Sequence, residues 1–117
     1  MNIEEFREYC LQKKGVEEGF PFDNFTLVFK VSGKMFALTN TEGEFTLNLK
    51  CEPEKAVELR EKHSGVKPGY HMNKKHWNTV YFDGSVSDFH AKKWIDDSYN
   101  LVVKSMTKLQ QQQLKNL

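Results

Sequence analysis

The sequence predicts an α+β domain in which helices pack on one face of an antiparallel β-sheet. Two observations carry that prediction. Residues 25–50 hold three runs of alternating apolar and polar residues separated by short turn signals, the pattern of an antiparallel meander. Helix-spaced apolar residues flank the meander near the N-terminus, after residue 53 and after residue 87. Elements in the order helix, meander, helix, strand, helix form a two-layer sandwich around one core.

Asn2 and Glu5 have capping-box spacing, with Asn replacing the usual Ser or Thr. Ile3, Phe6 and Cys10 then recur at helical spacing, with Tyr9 beside them. The first helix is predicted over about residues 2–14, stopped by Gly15. Gly19-Phe20-Pro21-Phe22-Asp23 reads as a loop, because proline fixes its own φ and biases Phe20 toward extended geometry. Phe25 to Val31 reads as a strand with Phe25, Leu27, Phe29 and Val31 on one face. Ser32-Gly33 turns the chain, Lys34 to Thr39 returns, and Thr41-Glu42-Gly43 turns it again. Glu44 to Lys50 alternates, with Phe45, Leu47 and Leu49 opposed to Thr46, Asn48 and Lys50.

Pro53 at a first helical turn, followed by Ala56, Val57, Leu59 and Arg60, gives a second, shorter helix. Gly65, Pro68 and Gly69 break regular structure. Trp77 to Phe82 is a further strand, closed by the tight-turn pair Asp83-Gly84. Ser87 is the N-cap of a long helix that runs through Trp94, Ile95, Tyr99, Leu101 and Val102 to Met106. Residues from about 105 to 117 include Gln110 to Gln113 and few apolar anchors. They read as a solvated continuation of that helix or a frayed tail.

A chain of 117 residues suits one domain spanning 1–117. At this size it buries roughly two-thirds of its unfolded surface, so a core forms without disulfide or metal. Nine Phe, four Tyr and two Trp argue against disorder. The 17 basic residues nearly balance the 16 acidic ones, so any attraction for a polyanion has to be local. Cys10 and Cys51 form no C-x-x-C pair and read as free thiols of a reducing compartment. No apolar run reaches the length of a membrane span. The opening Met1-Asn2-Ile3-Glu4-Glu5 is acidic, unlike a signal peptide. The expectation is a cytoplasmic, monomeric protein.

One segment concentrates basic charge. Between Arg60 and Trp77 lie Arg60, Lys62, Lys67, Lys74 and Lys75 against a single acid, Glu61. His63, His71 and His76 add hydrogen-bonding capacity, and Tyr70 and Trp77 are interleaved. Lysine point charges, imidazole donors and backbone N–H groups exposed at a glycine turn suit phosphate, and an exposed aromatic adds base stacking. Against that stands the simpler reading that Trp77 is the first buried residue of a core strand.

Other chemistries find less support. His71 and His76 are five apart, with no acid or cysteine close in sequence, which is not metal-ligand spacing. Ser64 follows His63 without a G-x-S-x-G elbow. Asp96 and Asp97 diverge on a helix and read as a solvated face. Gly65-Val66-Lys67-Pro68-Gly69 lacks the G-K-[ST] ending of a phosphate-binding loop. No cofactor, metal or catalytic residue is expected.

Several motifs resemble the MmcQ/YjbR family. They are Phe20-Pro21-Phe22-Asp23, then Val28-Phe29-Lys30-Val31 with Gly33-Lys34-Met35-Phe36-Ala37-Leu38, then Leu49-Lys50-Cys51 with Pro53 and Leu59-Arg60. The most specific runs from Pro68-Gly69-Tyr70-His71-Met72-Asn73-Lys74-Lys75 through His76-Trp77-Asn78-Thr79-Val80, and Ser98-Tyr99-Asn100-Leu101-Val102-Val103 extends the match. The resemblance covers about residues 3–104. It implies a CyaY-like fold and a DNA-binding role described through a double-wing arrangement. It does not carry over iron binding, because Arg7 and Lys13-Lys14 dilute the acidic residues of the first helix.

The leading functional expectation is therefore a non-enzymatic DNA-binding module. Lys67, Lys74 and Lys75 contact phosphates, and Arg60 and Lys50 extend the patch. His71, Asn73 and His76 donate hydrogen bonds, Tyr70 offers a stacking ring, and Trp77 shapes the loop or stacks. Two alternatives stay open. One is a pocket for a small anionic ligand formed by Tyr70, His71, Lys74, His76 and Trp77. The other is a protein-interaction adaptor using the long last helix and the glutamine tail.

Overall fold

The computed structural model describes residues 1–117. Helix α1 (Ile3–Leu11) leads into strand β1 (Val16–Gly19), then β2 (Thr26–Val31), β3 (Lys34–Asn40) and β4 (Thr46–Lys50). Helix α2 (Pro53–Lys62), β5 (Val66–Pro68), β6 (Trp77–Tyr81), α3 (Asp88–Lys104) and α4 (Lys108–Lys115) follow. The six strands form one antiparallel sheet in the order β1-β2-β3-β4-β6-β5. The α+β class and the two-layer arrangement are those the periodicity predicts.

Cross-strand partners point to the same side of a sheet, so register defines its two faces. Leu27, Phe29, Val31, Leu47, Leu49, Val66 and Val80 point to one face. There they join Phe6 and Cys10 of α1, Leu59 of α2 and Ala91, Trp94, Ile95 and Val102 of α3 in the main core. A β-bulge in β3 adds to it. Phe29 pairs with Ala37 and Lys30 with Met35, leaving Phe36 as the extra residue. Phe36 and Ala37 are consequently both fully buried in the main core, and Phe36 meets Tyr99 edge-on at 5.3 Å. The opposite face carries only a small cluster of Val28, Leu38 and Trp77, with Met35 and Met72 against it. No helix residue belongs to that cluster.

Helix α3 lies across β2, β3 and β4. Its N-cap Ser87 accepts from His90 N at 3.1 Å while the His90 ring accepts from Ser87 N, a reciprocal cap. Ser98, fully buried, fixes the helix to the sheet: its hydroxyl donates to Phe36 O at 2.6 Å and accepts from Lys50 N at 2.9 Å. At the other end of β6, Asp83 accepts from the hydroxyls of Ser64 and Ser85 at 2.7 Å, and these bonds hold its carboxyl down to about 2.

Four expectations need correction. The first helix ends at Leu11 rather than residue 14, and Gly15, at φ 71°, reverses the chain into β1. β1 is not predicted, since Val-Glu-Glu-Gly offers too few alternations to read, and neither is β5, which forms where Gly65, Pro68 and Gly69 read as breaks. Phe25 precedes β2 and is exposed, because Asp23 accepts from the amides of Phe25 and Thr26 and holds that corner as a turn. The C-terminal segment is neither frayed nor a continuation of α3. α3 stops at Lys104, and Thr107 caps a separate α4 whose Leu114 is buried against Gly15. A side chain at Gly15 would sit 2.5 Å from a Leu114 methyl, so glycine serves both turn and packing there.

Candidate nucleic-acid interface

The β5–β6 connection, residues 69–76, crosses the helix-free face, where Met72 packs on the Val28–Leu38–Trp77 cluster. Both ends of the loop are fixed. Gly69 N donates to Trp77 O at 2.8 Å, and the approach is close enough that a Cβ on Gly69 would lie 2.8 Å from the Trp77 Cβ. Tyr70 N donates to Thr79 Oγ1 at 2.9 Å, and that hydroxyl donates to Asn48 on the next strand. Asn73 closes the turn from inside. Its carbonyl accepts from His76 and Trp77, and its side-chain oxygen accepts from Lys75 N at 2.9 Å. His71 adopts φ 58°, a left-handed conformation that histidine tolerates better than most residues.

Two of the expected phosphate ligands hold the loop instead. Arg60 Nε donates to Asn78 Oδ1 at 2.7 Å and its Nη2 donates to Lys74 O. Asn78, buried, passes the connection on through Nδ2 to Ala56 O at 3.3 Å. Lys74 Nζ donates to Gly69 O at 2.8 Å across the loop. Trp77 is 8% exposed and belongs to the small cluster, so it shapes the loop and has no free ring face for stacking. The bland reading of Trp77 is the correct one.

The remaining expected residues lie outward. Tyr70 is 65% exposed, its ring 4.0 Å from that of His71 by centroids, and His71, Asn73, Lys67 and Lys75 are exposed. His76 and Lys50 are half-buried. By register, Lys67 shares the helix-free face with Thr79, Lys50 with Trp77, and Lys30 with Met35. Lys30 lies outside the segment that the basic charge singles out, although alternation with Phe29 sets it opposite the core. All six ion pairs of the molecule involve at least one helix residue, and none includes Lys30, Lys50, Lys67 or Lys75. β2 to β5 is four strand steps, or about 19 Å at about 4.8 Å each. That width matches five or six steps of about 3.4 Å along a nucleic-acid strand.

One cleft lies between α2 and α3, and another beside β1 and β2 is lined by Glu17 to Pro21, Val28 and Lys30. Neither includes Tyr70, His71, Lys74, His76 or Trp77. No group of three His, Cys, Asp or Glu side chains is placed to hold a metal ion. No helix is long and apolar enough to cross a membrane.

The architecture defines a class first: a two-layer α+β domain with one sheet face covered by helices and the other crossed by a single clamped loop. The YjbR family model matches residues 11–101, and the chain belongs to that family. It is 39% identical to the YjbR protein of Escherichia coli K12 over 104 residues, covering 88% of each chain. It is 37% identical to YbdF of Escherichia coli O157:H7 over 110 residues, covering 93% of this chain and 90% of that one. Both relatives are described as uncharacterised. A crystal structure of a Deinococcus radiodurans protein with a DUF419 domain superposes with a TM-score of 0.91 at 40% identity, over 97% of this chain and 88% of that one. A Pseudomonas syringae protein superposes at 0.74 with 31% identity, over 86% and 98%.

Proposed function

We propose that this protein binds nucleic acid without catalysing a reaction, tracking the phosphate backbone of DNA across the helix-free face of its sheet. The observation that carries the reading is the run of lysines there that form no ion pair, although Lys30 stands opposite Glu17 of β1 by register. Lys30, Lys50 and Lys67 come from β2, β4 and β5, and Lys75 comes from the clamped loop. An ammonium that has no carboxylate partner exchanges only water and counterions for a phosphate, so it loses little on binding. Tyr70 and His71 stand out of the same loop and offer ring faces to an unstacked base. The arrangement reads backbone rather than sequence, since it brings no bidentate side chain to a base edge.

Fluorescence anisotropy with a labelled duplex tests this. Four phosphate contacts give a log–log salt slope of about −3.6, so affinity falls about 150-fold between 50 and 200 mM salt. Lys67→Ala/Lys75→Ala brings the slope to about −1.8. Lys74→Ala leaves the slope unchanged, since that ammonium is already engaged by Gly69 O. A flat salt dependence, or equal slopes for wild type and the double variant, overturns the proposal.

A further inference from the structure

The cleft between α2 and α3 opens on the helix-covered side of the sheet, and Lys50 of β4, whose side chain register assigns to the opposite face, borders it. The cleft has a volume of about 290 Å³. Its floor is apolar, formed by Leu49, Leu59, Val66, Val80, Trp94 and Leu101. These belong to three strands and two helices of the main layer, so the cavity is walled by fixed elements rather than by a loop. Its rim is polar, with Lys55 and Glu52 on the α2 side and Asp97, Asn100 and Lys104 on the α3 side. An apolar floor with a few polar groups at the mouth is the usual build of a small-molecule site.

The charges at the mouth are not equivalent. Asp97 is engaged by Lys93 at 2.6 Å, so its charge is already answered. Lys55 has one carboxylate within ion-pairing distance, Glu58 at 3.7 Å, and Glu58 takes Lys62 more closely at 2.6 Å. Lys104 takes part in no ion pair. On opposite walls, Lys104 is thus open to a ligand and Lys55 is held only at 3.7 Å, against the carboxylate of Glu52, which forms no ion pair. The Asn100 side chain, exposed and without a hydrogen-bond partner within the protein, adds a donor.

We infer that this cleft binds a small amphipathic carboxylate, its hydrocarbon or aryl part on the apolar floor and its carboxylate between Lys55 and Lys104. The ligand is a monoanion with one apolar arm. A wholly polar metabolite would leave the floor without a partner, and a neutral hydrocarbon would leave the lysines without one.

Cys51 supplies a built-in reporter, since it lines the cleft half-buried whereas the other thiol, Cys10, is fully enclosed. The experiment follows alkylation of Cys51 by N-ethylmaleimide, site-resolved by mass spectrometry, with octanoate as probe and 1-octanol as its uncharged counterpart. At five times its Kd, octanoate slows Cys51 modification about sixfold, because only the unoccupied cleft reacts. In Lys55→Ala/Lys104→Ala, a tenfold rise in Kd leaves about 1.5-fold protection at the same octanoate concentration, while the circular dichroism spectrum and the octanol response stay as in wild type. Amide shifts of Val80, Asn100 and Leu101 during the same titration read occupancy independently of thiol reactivity. Absence of both protection and shifts overturns the inference. Equal protection by octanol, or octanoate protection unchanged in the double variant, overturns the role given to the two lysines.

Discussion

Phe36→Ala lowers the free energy of unfolding by about 3–5 kcal/mol, the range for emptying a fully buried aromatic site. For a domain of this size that is a fall in Tm of roughly 12–20 °C, read by thermal denaturation. The effect is large because of where the bulge puts the side chain. In an unbulged strand Phe36 and Ala37 would face opposite ways. The extra residue turns both inward, so Phe36 fills space between β3 and α3 and meets Tyr99 edge-on at 5.3 Å. Its carbonyl also accepts from Ser98 Oγ, so α3 is placed from the same residue twice. Substitution of the exposed Val57 by Ala changes stability by less than about 0.5 kcal/mol. A Phe36→Ala shift as small as that control would mean that the bulge does not deliver this side chain to the core.

Asn78→Ala costs about 2–3 kcal/mol, more than a buried amide of its volume suggests, because two partners are stranded at once. The Arg60 guanidinium loses its acceptor at 2.7 Å and the Ala56 carbonyl loses a donor at 3.3 Å. The consequence reaches the loop. With Arg60 no longer held, its grip on Lys74 O loosens, and amide exchange at Lys75 and His76, both bonded to Asn73, quickens by a factor that global unfolding alone does not produce. Arg60→Lys does not restore the clamp, since an ammonium cannot span Asn78 and Lys74 together as the guanidinium fork does. Unchanged exchange in the loop of Asn78→Ala would remove the clamp from the account.

Most of the sheet is written in local patterns. β2, β3 and β4 follow from alternation and two short turns, and Ser87 announces α3. The pieces that escaped are those fixed by distant partners. β1 and β5 are four and three residues long, and they become strands only because β2 and β6 offer open edges. α4 rests on one anchor, Leu114, whose seat is Gly15 a hundred residues earlier. Thr107 and Gln110 stand at capping-box spacing, so that helix start was legible, though masked by the run of glutamines. The candidate interface divides in the same way. The sequence singles out the loop by its charge, but composition alone cannot tell a lysine that faces solvent from one folded onto a carbonyl. Lys67 and Lys75 proved free, while Lys74 and Arg60 hold the backbone. Lys30 and Lys50, far from the loop in sequence, join it through sheet register.

The central claim is that the helix-free face and its clamped loop form the surface that meets nucleic acid. Amide chemical-shift mapping of the isotope-labelled protein with a short unlabelled DNA duplex, at low salt, tests it most directly. The account predicts shifts at Lys30, Lys50, Lys67, Tyr70, His71 and Lys75, with α1 and the outer side of α3 unmoved, and their disappearance as salt is raised. Shifts centred on the helical layer, or none at all at low salt, would contradict it.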